Sequence, residues 1–114
     1  MLTPKADLLQ GTLDLLILKG LAAGPLHGWA VSKRIRQMST EVLTVNQGSL
    51  YPALYRLEES GLLKAKWEQE TKGRRGARRR IYQLTAKGKS ALSAGKAQWK
   101  TFSRVIGAIM GAPA

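Results

Sequence analysis

At Gly61 the apolar residues of this chain change their spacing, and the change excludes both a plain helical bundle and an all-β fold. Before it, Leu50, Leu54 and Leu57 recur at i, i+4 and i+7, the buried row of a helix. After it, Leu63, Ala65 and Trp67 alternate with Lys64, Lys66 and Glu68, the pattern of a half-buried strand in which Trp67 packs onto the core. A second short strand fits Arg80 to Leu84. Between them runs Lys72-Gly73-Arg74-Arg75-Gly76-Ala77-Arg78-Arg79, basic and broken by glycine, so the two strands read as a β-hairpin with a charged tip.

The flanking segments are helical. From Ala6 to Ala22, Leu9, Leu13, Leu16, Ile17 and Leu21 form one core-facing stripe, and Gly24-Pro25 ends the run. Leu8, Leu15 and Leu18 add apolar surface outside that stripe, which calls for a second packing partner. A shorter helix fits His27 to Met38, with Val31, Ile35 and Met38 inward and Lys33, Arg34 and Arg36 outward. After a connector from Ser39 to Val45, Asn46 caps a third helix reaching about Ser60. Pro52 conflicts with a helix interior, where proline costs about 3 kcal/mol, so this helix either starts near Ser49 or bends. Thr85 caps a last helix from Ala86 to about Met110, along which Leu92, Trp99 and Ile106 repeat every seven residues, interleaved with Gly95, Phe102 and Ile109.

Charge narrows the partners. Lys and Arg number 19 against 7 Asp and Glu, a net +12, and the excess lies in the second half of the chain. Five arginines, Arg74, Arg75, Arg78, Arg79 and Arg80, crowd the hairpin, where their mutual repulsion is relieved by a polyanion. There is no cysteine, hence neither a disulfide nor a thiolate metal site, and the single histidine, His27, excludes a multi-histidine site. His27 reads as a helix-start residue bonded locally, and Glu58 and Glu59 as solvated groups pairing with nearby arginines. No nucleophile, base and orienter can be grouped, so no catalytic residue, metal or cofactor is expected. Gln10, Asp14 and Lys19 interrupt the most apolar run, so no membrane span is expected, and a cytoplasmic protein is. A basic RNA-binding or ribosome-associated protein would share the charge, but the leucine-rich first helix and the heptad seam favour a specific dimer.

Three helices, a hairpin and a further helix form the order of a winged helix-turn-helix, an α+β fold of mostly helical content, whose third helix enters the DNA major groove. The expected division is a DNA-binding unit over 1–85 and a dimerisation helix over 86–112. With Leu50, Leu54 and Leu57 inward, the DNA-facing residues are Gln47, Gly48, Ser49, Tyr51, Pro52, Tyr55 and Arg56, and the hairpin arginines contact phosphates. The seam Leu92, Trp99, Phe102, Ile106 and Ile109, together with Leu8, Leu15 and Leu18, is expected to form a homodimer suited to a palindromic duplex. Two Trp99 rings near its dyad would leave a gap for a flat aromatic ligand.

The stretch Gly48-Ser-Leu-Tyr-Pro-Ala-Leu-Tyr-Arg-Leu-Glu-Glu-Ser-Gly-Leu62, with Leu26-His-Gly-Trp29 before it and Ile81-Tyr-Gln-Leu-Thr85 after, resembles the PadR family of transcriptional regulators over roughly residues 8 to 92. A single C-terminal helix resembles the family's short form. The resemblance implies a dimer, commonly a repressor, sometimes responsive to small aromatic or lipophilic effectors. The hairpin from Thr71 to Arg80 is longer and more basic than the family's usual wing.

Overall fold

The computed structural model describes residues 6–68 and 79–111, ordered α1 (Ala6–Gly20), β1 (Leu26–His27), α2 (Gly28–Met38), α3 (Gln47–Glu59), β2 (Leu63–Trp67), β3 (Arg80–Leu84) and α4 (Ala86–Ile109). The helical rows expected from spacing supply the core: Ile17 and Leu21 from α1, Val31 and Ile35 from α2, and Leu50, Leu54 and Leu57 from α3 are all buried. Leu63 and Leu84 close it from the sheet, and Leu92 closes it from α4. Each such side chain contributes about 1.5–3 kcal/mol of transfer free energy, which makes this row the main stabilising element.

The architecture is the expected mostly helical α+β fold, with one addition. Leu26 and His27 form a short strand that pairs antiparallel with β3, Leu26 opposite Tyr82 and His27 opposite Ile81. β3 is therefore the central strand of a three-stranded sheet in the order β1-β3-β2, with Leu63 opposite Leu84 and Trp67 opposite Arg80 across the hairpin. Met38 is exposed rather than inward, because α2 ends there and the chain turns away through Thr40 and Glu41, both at positive φ.

α3 starts at Gln47 and continues past Pro52 to Glu59, and Asn46 caps it, its Oδ1 accepting from the Ser49 amide at 2.9 Å. Pro52 lies on the solvent face, so its ring meets no packed side, and the hydrogen bond it forgoes belongs to an exposed turn. The start of α4 is fixed to the end of α3. Thr85 Oγ1 donates to the Gly61 carbonyl at 2.6 Å and accepts from the Gly88 amide at 3.0 Å, while Lys87 Nζ donates to the Ser60 carbonyl at 2.8 Å. Two glycines make this possible: Gly61 takes φ +78°, and a Cβ on Gly88 would stand 2.1 Å from the Leu62 carbonyl oxygen.

Candidate nucleic-acid interface

Burial splits α3 into two faces. Leu50, Ala53, Leu54 and Leu57 are buried, and Gln47, Gly48, Ser49, Tyr51, Pro52 and Tyr55 are exposed together on the other side. The helix is held at this angle by interactions that spacing alone does not reveal. The buried Ser32 hydroxyl of α2 donates to the Val45 carbonyl at 3.0 Å, just ahead of α3. Gly28 lets α3 approach, since a Cβ there would stand 2.9 Å from Tyr51 Cε1 and 3.3 Å from Leu54 Cδ1. Tyr51 thus rests its ring edge on α2 while remaining partly exposed.

Arg56 is placed differently from the rest of the expected set. Its Nη2 donates to Asp14 Oδ1 on α1 at 2.8 Å, so its guanidinium is engaged at the flank of the helix. Burial pushes the Asp14 carboxyl above its ordinary value of 3.8, more than Arg56 beside it pulls it down.

At the root of the hairpin, Arg80 Nη2 donates to Glu58 Oε2 of α3 at 2.6 Å, and its guanidinium lies 5.4 Å from the centre of the Trp67 ring. Trp67 is consequently 54% exposed, not packed on the core: the strand has run past the core by this residue, and the ring serves Arg80 instead. Arg79 Nε donates to Glu68 Oε1 at 3.3 Å, and the other oxygen of that carboxylate lies 3.2 Å from His27 Nε2. His27 therefore occupies the N-cap position of α2 without capping it, and its side chain bonds across 41 residues instead of locally. Burial also raises the Tyr82 hydroxyl above its ordinary value, partly offset by Arg80. Arg74, Arg75 and Arg78 lie outside the described residues.

α1 and α4 flank an open groove of about 470 Å³. Leu15 and Leu18 line one wall, and Trp99 and Phe102 the other, their ring centroids 5.9 Å apart. Gly95 permits the close packing, because a Cβ would come 2.6 Å from Leu15 Cδ1. Leu18 and Leu92, only 4% and 8% exposed, belong largely to the chain's own core. Beyond them Trp99, Phe102, Ile106 and Ile109 stay exposed along α4, joined by Val105, which lies off the heptad. The side chain of Leu8 lies outside the described residues. Among the described residues, no group of three acidic or histidine side chains is placed to hold a metal, and no helix is long and apolar enough to cross a membrane.

Comparison with known proteins matches residues 17–94 to the transcriptional regulator PadR-like family. A transcriptional regulator from Clostridium thermocellum superposes with a TM-score of 0.76 at 30% identity, over 91% of this chain and 95% of its own. A PadR family transcription regulator from Clostridium difficile R20291 gives 0.74 at 29%, over 87% and 98%. An uncharacterized 37.1 kDa protein in transposon TN4556 of Streptomyces fradiae is 42% identical over 79 residues, 69% of this chain and 20% of that protein.

Proposed function

Because the chain belongs to the PadR-like family of transcriptional regulators, a non-enzymatic class that acts by binding DNA, we propose that it works as a cytoplasmic homodimeric repressor of a palindromic operator, released by a small aromatic or lipophilic effector. Gln47, Gly48, Ser49, Tyr51, Pro52 and Tyr55 face the major groove, with Arg56 at their flank, and Arg74, Arg75, Arg78, Arg79 and Arg80 of the wing follow the phosphates. Residues 1–85 form the DNA-binding unit and 86–112 the dimerisation helix, whose Trp99, Phe102, Ile106 and Ile109 meet a second copy, with Leu15 beside them. The effector occupies the groove at Trp99.

The observation that carries this reading is the division of α3, with Gln47, Gly48, Ser49, Tyr51, Pro52 and Tyr55 outward in its first three turns, Glu59 outward at its end, and no core residue among them. Selection of bound duplexes from a random pool tests it. A palindrome with half-sites about one helical turn apart is expected. Equal binding to random duplex and structured RNA at the same salt would reject it. Assembly is tested by light scattering of the paired variant Ile106→Asp, Ile109→Asp, which spares the core residue Leu92. It should be monomeric and lose operator binding; a dimer would place the interface elsewhere.

A further inference from the structure

A second recess, of about 310 Å³, opens where the start of α2, the first half of α3 and the root of the hairpin converge. Trp29, Tyr51 and Tyr82 give it aromatic walls, and Lys33, Arg79 and Arg80 bring cations to it; no acidic side chain is among the described residues of the lining. Tyr82 is buried, whereas Trp29 and Tyr51 are 42% and 43% exposed, so two rings are open to a ligand. Glu68 and Glu58 stand beside Arg79 and Arg80, but a guanidinium has more N–H donors than one carboxylate uses, so both arginines keep donors for a ligand. Arg80 Nε is buried without a partner among the described residues, an unsatisfied donor at the wall. Lys33 is exposed and enters no ion pair among the described residues. A solvated basic patch would explain the cations but neither the rings nor the concavity.

We propose that this recess binds a free nucleoside monophosphate, its base against Trp29 and Tyr51 and its phosphate on Lys33, Arg79 and Arg80. Each part of the site answers one part of that molecule. An aromatic face stacks a base of any identity, and lysine and arginine hold a phosphate by charge-assisted hydrogen bonds. A duplex offers the recess phosphate oxygens but no ring, because its bases are stacked within, and a neutral aromatic leaves the cations unanswered. Tyr51, Arg79 and Arg80 also belong to the face proposed to meet DNA, so a bound nucleotide and a duplex exclude one another. That last step rests on the proposed function; binding of the nucleotide itself does not.

Calorimetry on the full chain with adenosine monophosphate, adenosine and inorganic phosphate separates the parts. The nucleotide should bind about tenfold more tightly than adenosine, the worth of one charge-assisted hydrogen bond, and more tightly than inorganic phosphate. Lys33→Gln should cut the preference over adenosine several-fold, while Lys96→Gln, which removes the same charge from α4, should leave it. Trp29→Ala, at an exposed position, should weaken nucleotide and adenosine alike by roughly tenfold and spare inorganic phosphate. Equal losses in Lys33→Gln and Lys96→Gln would reduce the binding to diffuse attraction by a chain of net charge +12 and overturn the proposal. So would inorganic phosphate bound as tightly as the nucleotide with Trp29→Ala silent, since the recess would then seat a backbone phosphate. The nucleotide should also displace random duplex from the unaltered chain and, at the same concentration, fail to do so from Lys33→Gln. A nucleotide bound in the expected pattern that displaces no duplex would uphold the site and move the duplex off Tyr51, Arg79 and Arg80.

Discussion

Glu58 on α3 and Arg80 on β3 meet at 2.6 Å, so the helix proposed to face DNA and the root of the hairpin are tied directly to one another. The tie also neutralises positive charge. Arg80 answers Glu58, Arg79 answers Glu68 and Arg56 answers Asp14, which leaves these three arginines partly neutralised within the chain.

Removing the neutralising group should therefore strengthen attraction to any duplex. Glu58→Gln is expected to tighten binding to random DNA at low salt. It should cost the fold no more than about 1 kcal/mol, because the pair is partly exposed. Anisotropy titrations at two salt concentrations, with urea unfolding alongside, read both effects. Weaker binding to random DNA would show that the tie positions Arg80 on the duplex rather than restraining it.

The wing is expected to supply affinity without sequence preference. Arg78→Ala combined with Arg79→Ala should weaken specific and random duplexes alike and reduce the salt slope by roughly 0.9 for each phosphate that the wing no longer neutralises. A fixed slope with diminished discrimination would instead make the wing a reader of bases.

Gln47 stands in the first turn of the exposed face of α3. Gln47→Ala should relax preference at a defined base position, by about 1–3 kcal/mol if its amide binds a base edge in bidentate fashion. The sequence logo selected by the variant is the measurement, and an unchanged logo would move base reading to other residues.

Asp14 gives the fold a pH dependence whose sign follows from burial. The folded chain holds the Asp14 proton more tightly than the unfolded chain does, so the stability tied to it is present at low pH and is lost as pH rises through the elevated folded value. Asp14→Asn should therefore be more stable than the unaltered chain at pH 7, by less than about 1 kcal/mol. The difference should disappear as pH falls below the ordinary value of 3.8. Urea midpoints at the two pH values check this, and a variant less stable at pH 7 would mean that Arg56 outweighs burial.

Much of the fold is legible in the sequence because it repeats. The row Leu50, Leu54, Leu57 and the alternation after Gly61 mark their elements by period alone, and Asn46 and Thr85 announce two helix starts by cap chemistry. β1 is not legible, since two residues carry no period and Leu26 and His27 become a strand only when β3 is beside them. The outward face of α3 follows from its buried row, whereas the fate of Arg56 does not, because its partner lies 42 residues away on another helix. Trp67 departs from its expected burial for a related reason: alternation predicts which side a residue takes, not where the core stops. Gly28, Gly88 and Gly95 each mark a close approach visible only once two elements are set against each other.

The junction at Gly88 has a mechanical consequence. α4 has 24 residues and so extends about 36 Å from a root clamped to the end of α3. A swing of about 5° at that root would carry the far tip through about 3 Å, most of the rise of one base pair. In the proposed dimer, accuracy in the separation of the two copies of α3 would then be set less by the apolar tip than by the hinge it swings from. A methyl group added at Gly88, 2.1 Å from the Leu62 carbonyl oxygen, would act there as a wedge.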